Sequence, residues 1–367
     1  MTDSRLDKYA DILVNYSTEV KKDDWVIVVG NMLAEPLFAE IQKYVLRAGG
    51  HVNILMGSDR FSENRFKESN EEQLKHISPP ERMVFEEADV LVSINANQNT
   101  RSLAATDPKK QQVMGAARQD LMMTYKRRSA SKELRWVIAN YPCDALAQEA
   151  DMSLADYEDF VFQATYADKK DPVKEWQRIH DEQERLVKWL SGKKEVQLRS
   201  PNIDVTMSIA GRKFINSAGK NNMPSGEVFT SPIEDSTNGW AEYTYPAIYG
   251  GREVEGIRLE FKDGKVVKAS AKKNEEFLLK MLEMDEGAKV LGELGIGTNY
   301  AIDRFTKSIL FDEKIGGSIH MAVGTGFPEA GGENDSTLHW DMICDMRKDS
   351  EILVDGELFY KNGKFKV

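Results

Sequence analysis

The segment Ser336-Thr337-Leu338-His339-Trp340-Asp341-Met342-Ile343-Cys344 alternates in a way that suits metal chemistry. Successive side chains of a strand point to opposite faces, so His339 and Asp341 share one face while Leu338, Trp340, Met342 and Cys344 share the other. An imidazole and a carboxylate on an apolar backing suggest a ligand pair, though the same spacing also occurs in ordinary half-exposed strands. A second imidazole, His320, stands in the strand-like run Ser318-Ile319-His320-Met321-Ala322-Val323, with glycines on both sides. Imidazole together with carboxylate suits zinc, cobalt or manganese. Two more carboxylates stand in glycine-rich surroundings. Glu227 lies in Asn221-Asn222-Met223-Pro224-Ser225-Gly226-Glu227-Val228-Phe229, where a turn hands over to an apolar strand, and Glu293 lies in Leu291-Gly292-Glu293-Leu294-Gly295-Ile296-Gly297-Thr298-Asn299. Each either accepts backbone hydrogen bonds at a strand edge or joins a metal site, and the pattern alone leaves both readings open.

The elements that must position these residues fall into two halves. Leu6, Tyr9, Ala10 and Leu13 recur at helical spacing behind a cap at Asp3 or Ser4. Trp25 to Val29 is a continuous apolar strand, followed by Gly30-Asn31, a helical pattern through Leu37, Ile41, Tyr44 and Val45, then Gly49-Gly50 and a strand from Val52 to Met56. This strand-helix-strand order builds a parallel sheet, to which Val90 to Ile94 and Trp136 to Ala139 add further strands. A long charged helix from about Val173 to Leu190 leads away. Beyond it, short strands and the dipeptides Asp263-Gly264, Asp355-Gly356 and Asn362-Gly363 announce two-residue hairpins. Helices are expected around Glu275 to Met284 and Asp303 to Leu310. The fold class expected is therefore α/β, an open, mostly parallel amino-terminal sheet over residues 1–192 followed by an α+β, largely antiparallel, metal-binding domain over residues 193–367.

With 367 residues the chain can bury a core in each half. Two cysteines, Cys143 and Cys344, are too few for a disulfide framework, and no stretch is long and apolar enough for a leader or a membrane span. A cytoplasmic protein with no membrane partner is expected. A net charge of −11 with no basic stripe argues against nucleic acid. Gly324-Thr325-Gly326 and Gly295-Ile296-Gly297 fit neither nucleotide-binding glycine motif and read as turns beside the site, while Gly30 lacks the rest of a dinucleotide fingerprint. His51, His76 and His180 read as surface or structural residues, and Cys344 as a packing residue.

Four blocks occur in order: Met223-Pro224-Ser225-Gly226-Glu227-Val228-Phe229, Gly292-Glu293-Leu294-Gly295-Ile296-Gly297-Thr298-Asn299, Gly317-Ser318-Ile319-His320-Met321-Ala322-Val323-Gly324 and Leu338-His339-Trp340-Asp341. Together they resemble the thermophilic-type metallo-aminopeptidases, the aminopeptidase T and aminopeptidase S family. The resemblance implies two divalent metal ions per chain, held by Glu227, Glu293, His320, His339 and Asp341. Glu293 would bridge the ions, with Glu227 and Asp341 on one and His320 and His339 on the other. It further implies a homodimer that encloses the active sites and substrates that are peptides with a free amino terminus. One departure stands out: the family places a tyrosine seven residues after the first ligand histidine, where this chain has Phe327. A phenyl ring neither binds metal nor donates a proton, so no residue is assigned as general acid or base. Two other readings remain at this level, a dinuclear hydrolase of another amide or ester and a non-catalytic α/β module that binds a small molecule.

Overall fold

In the computed structural model, which describes residues 3–367, the apolar run Trp25–Asn31 is an interior strand of a five-stranded parallel sheet. The strand order is His51–Gly57, Trp25–Asn31, Val90–Asn95, Arg135–Asn140 and Asn222–Met223, each neighbouring pair parallel. Val26, Val28, Val90, Val92 and Val137 are completely buried, as strands covered on both faces require. The intervening helix Glu35–Ala48 ends on Gly49 at φ 85°, a left-handed cap that costs glycine little. At the amino terminus Asp3 caps Ser4–Asp11 by accepting a 2.8 Å hydrogen bond from the Arg5 amide, and Leu6, Tyr9 and Ala10 turn inward as their spacing predicts. Gly30 answers to packing: a Cβ there would lie 2.4 Å from the Ile94 carbonyl oxygen and 2.9 Å from the Phe38 ring.

The chain divides into two compact units. The first runs to Glu175 and takes in Gly219–Pro224; the second comprises Trp176–Ala218 and Ser225–Val367. The sequence places the boundary at 192 instead, after the helix Pro172–Leu190. The difference has two causes. Leu186 and Leu190 of that helix belong to the core of the second unit, and Asn222–Met223 pairs with Arg135–Asn140 in the sheet of the first.

Antiparallel pairing dominates the second unit. An eight-stranded sheet and a five-stranded sheet draw on one hydrophobic core, to which Leu198, Val205 and Leu259 contribute from the former and Leu294, Met321, Trp340 and Met342 from the latter. Fully burying one such side chain stabilises by about 1.5–3 kcal/mol. All three expected hairpin dipeptides take positive φ at both residues, 48° and 78° at Asp263-Gly264, 50° and 79° at Asp355-Gly356, 48° and 80° at Asn362-Gly363. The helix Glu275–Leu282 forms as expected, whereas the one expected from Asp303 to Leu310 shrinks to Ile309–Asp312. The Thr306 amide and hydroxyl instead donate to the Asp312 carboxylate at 2.7 and 2.8 Å, and Lys307 takes φ 62°, which no helix interior accepts. Among the described residues no helix is long and apolar enough to cross a membrane.

The close approach at Gly30 makes a direct prediction. Gly30→Ala should destabilise the first unit by about 2 kcal/mol, read as a lower urea midpoint for its unfolding, with the unfolding of the second unit unchanged.

Candidate metal centre

The five-stranded antiparallel sheet is ordered His339–Asp345, Ser318–Gly324, Leu291–Gly297, Glu227–Thr230, Ile215–Ser217. Register fixes which residues share a face. Gly295 sits between Phe229 and His320, Gly297 lies opposite Glu227, Ala322 lies between Glu293 and Asp341, and Gly324 pairs with His339. Glu227, Glu293, His320, His339 and Asp341 therefore rise from one face, while Leu294, Ile296, Met321, Val323, Trp340 and Met342 fill the core behind it. That face is kept low by Gly295, Gly297, Ala322 and Gly324. A Cβ at Gly295 would fall 2.0 Å from Nε2 of His320, whose imidazole lies over the glycine. Gly295-Ile296-Gly297 is thus the interior of a strand, not the turn its composition suggests. The turn expected before Glu227 is present, with Gly226 at φ 117° and Asn299 donating through Nδ2 to the Ser225 carbonyl at 2.9 Å.

The five predicted ligands converge. His320 Nε2 lies 3.3 Å from Glu227 Oε2 and 3.4 Å from Glu293 Oε1. His339 Nε2 lies 3.2 Å from Glu293 Oε2 and 3.5 Å from Asp341 Oδ2. Two sets of potential ligands result, Glu227 with Glu293 and His320, and Glu293 with His339 and Asp341, each with its atoms within 4.8 Å of one another. The grouping differs from the partition that resemblance implied: each imidazole goes with one outer carboxylate, because His320 faces Glu227 across the Gly295-Gly297 gap while His339 and Asp341 share a strand. Glu293 is common to both sets.

Sequence reading missed two residues. Glu313 forms a third set with His320 and Asp341, and Lys314, fully buried, ion-pairs with Glu313 and with Glu227 Oε1 at 3.2 Å. In the sequence they look like any solvated charge pair; their only signal is a place shortly before the His320 strand. Phe327 packs its ring edge-on against the His339 imidazole, centroids 5.3 Å apart, and lies 4.9 Å from Phe229. His51, exposed, stands near Asp23 outside this centre, and Cys344 is buried behind it, burial pushing its thiol up to about 12.

Electrostatics show what the cluster lacks. Burial, which opposes charge, and the neighbouring carboxylates together push Glu227 and Asp341 above the usual carboxylate range. Burial would lower both imidazoles, but Glu293, Glu227 and Asp341 outweigh it at His320, and Asp341 and Glu293 at His339, raising each to about 10. Asp341 Oδ1 is buried with no hydrogen-bond partner, and Glu227 Oε2 has none beyond its approach to the His320 imidazole; an under-satisfied buried acceptor is costly. The donor types, the convergence and these under-satisfied oxygens fit divalent cations. His339 Nδ1 stands 3.1 Å from the Thr325 carbonyl, so an N–H donated there leaves Nε2 as the donor atom toward the cluster.

Buried carboxylates and imidazoles on a cleared sheet face define a protein built to hold metal. The sequence pattern of the thermophilic metalloprotease family (M29) matches residues 2–365, and the chain belongs to that family. It is 27% identical over 402 residues to Aminopeptidase 2 of Geobacillus stearothermophilus, covering 99% of this chain and 95% of that protein. Identity to Aminopeptidase T of Thermus thermophilus is 25% over 401 residues, covering 98% and 95%. The solved structure of wild-type AmpT from Thermus thermophilus matches with a TM-score of 0.88 over 100% of both chains at 21% identity, the same fold end to end.

Two outcomes are expected. Gly295→Ala should displace the His320 ring and lower the metal bound per chain, measured by dialysis and elemental analysis, with far-ultraviolet circular dichroism retained. In metal-stripped protein the imidazoles gain their protons on folding, a contribution present below pH 6.5, their ordinary value, and lost as pH rises toward about 10. Its thermal midpoint should fall over that window, and zinc or cobalt, which takes the protons' place, should remove most of the fall.

Proposed function

We propose that this protein removes the amino-terminal residue of peptides at a centre of two divalent ions, zinc, cobalt or manganese, held by Glu227, Glu293, His320, His339 and Asp341. Its family and its curated relatives make it a metallo-aminopeptidase; the number of ions, their identity and their ligands are what is proposed. The observation that carries it is the position of Glu293, whose two oxygens face different imidazoles and so serve both ligand sets.

When bound, divalent ions at this place supply water activated near neutral pH and polarise the scissile carbonyl. The chain supplies the rest. Three carboxylates and two neutral imidazoles carry three negative charges, which nearly offset two dications and leave them acidic. The Thr325 carbonyl orients His339, and the Phe327 ring covers one side of that imidazole. Having no hydroxyl, Phe327 leaves proton transfer to another group or to water. A free α-amine, unlike an acylated nitrogen, has a lone pair that a divalent ion at this centre could take, which would select a free amino terminus. Lys314 is engaged by Glu227 and Glu313 and so does not offer the clamp that a phosphoester substrate needs. The proposal extends to a homodimer that excludes folded protein from the centre, and to the cytoplasm, where two free buried cysteines are at home.

The test is release of amino acid from leucine, arginine and methionine p-nitroanilides and from an unblocked tripeptide by metal-stripped protein titrated with cobalt, zinc or manganese. Turnover should require metal, fall at least about a hundredfold in His339→Ala and spare the acetylated peptide. Turnover of the acetylated peptide would overturn the amino-terminal reading, and turnover without metal would overturn the centre itself.

A further inference from the structure

Lys314 has no exposed surface, and its ammonium contacts Glu227 Oε1 at 3.2 Å and the Glu313 carboxylate. Lysine is seldom buried so completely, because losing its hydration is costly unless carboxylates replace the water. Its backbone is fixed as well. The Asn299 amide donates to the Lys314 carbonyl at 3.1 Å, and the Asn299 side chain holds the Ser225 carbonyl at 2.9 Å. One residue therefore ties the lysine segment to the turn that launches Glu227. Where this segment crosses the Glu293 strand the sequence has Gly297, and a Cβ there would fall 2.1 Å from the Ile315 carbonyl oxygen.

A cation built in this way acts unevenly on the two ligand sets. Glu227, which it engages, belongs to the set with Glu293 and His320, and Glu313, its other partner, to the set with His320 and Asp341; the set of Glu293, His339 and Asp341 contains neither. A fixed ammonium repels a dication most strongly at the nearer position and already occupies one oxygen of that position's outer carboxylate. We propose that Lys314 is a positioning residue that makes the two metal positions unequal, so that the Glu293-His339-Asp341 position fills first and tightly and the Glu227-Glu293-His320 position second and more weakly. The inference rests on the two-ion reading above.

Metal-stripped protein titrated with cobalt, followed by equilibrium dialysis and by visible absorption, tests this without reference to turnover. Wild-type protein should bind in two steps whose dissociation constants differ by at least about tenfold. In Lys314→Met the second step should tighten by about tenfold or more with the first little changed, and Lys314→Arg should restore the wild-type separation. Should the methionine variant fail to fold, Lys314→Gln carries the same expectation. Equal affinities in the wild type, or a second step unmoved or weakened in the neutral variants, would overturn the inference. Saturation at one ion per chain would instead remove the two-ion reading, and the inference with it, and stoichiometry separates that result from the others.

Discussion

Mutual repulsion among buried carboxylates is the constraint to which the second unit is arranged. Glu227, Glu293 and Asp341, with Glu313 beside them, crowd into a space where the ligand atoms of each set stand within 4.8 Å of one another. Like charges at such separations, away from bulk water, do not stay ionised without compensation. The metal-free protein answers in two ways, by protonating His320 and His339 and by burying Lys314. Divalent cations answer it more fully. Bound there, such ions would take the place of the imidazole protons and give Asp341 Oδ1 the partner it lacks.

The sheet makes that crowding possible by holding every candidate ligand on rigid backbone. Glu293, His320, His339 and Asp341 stand on three adjacent antiparallel strands, and Glu227 opens the fourth. Leu294, Met321, Trp340 and Met342 anchor the same strands from behind in a core shared with the larger sheet, so moving a ligand means disturbing packed side chains. The glycines do the complementary task of leaving room. Where Gly295 and Gly297 stand, a larger residue would meet the His320 ring or the Ile315 carbonyl.

Much of this was legible wherever the signal was local. Alternation through Leu338-His339-Trp340-Asp341 gave the correct facing, and the Asp-Gly and Asn-Gly dipeptides gave hairpins, because both depend on neighbours one or two residues away. Misreadings arose where distant partners decide. The helix expected from Asp303 is pre-empted by the Asp312 carboxylate at Thr306. Gly295-Ile296-Gly297 resembles a turn only until the imidazole above it is known, and Glu313-Lys314 resembles a surface pair until the fold buries it. The two compact units divide elsewhere than residue 192 because Leu186 and Leu190 pack into the second unit's core and six residues, Gly219–Pro224, return to the first unit.

By itself the sequence determined the kinds of element, the donor types and the facing of His339 and Asp341, since propensity, period and side-chain chemistry are properties of residues and their near neighbours. Resemblance of its ordered blocks supplied the family and the five candidate ligands, with a partition among them other than the one in which their side chains stand closest. Tertiary structure alone decided which of these side chains stand against one another, the place of Glu293 between the two imidazoles, and the admission of Lys314 to the cluster. The physical reason is that Coulomb and ligand interactions depend on distances of a few ångströms between side chains far apart in the chain, and strand register sets those distances.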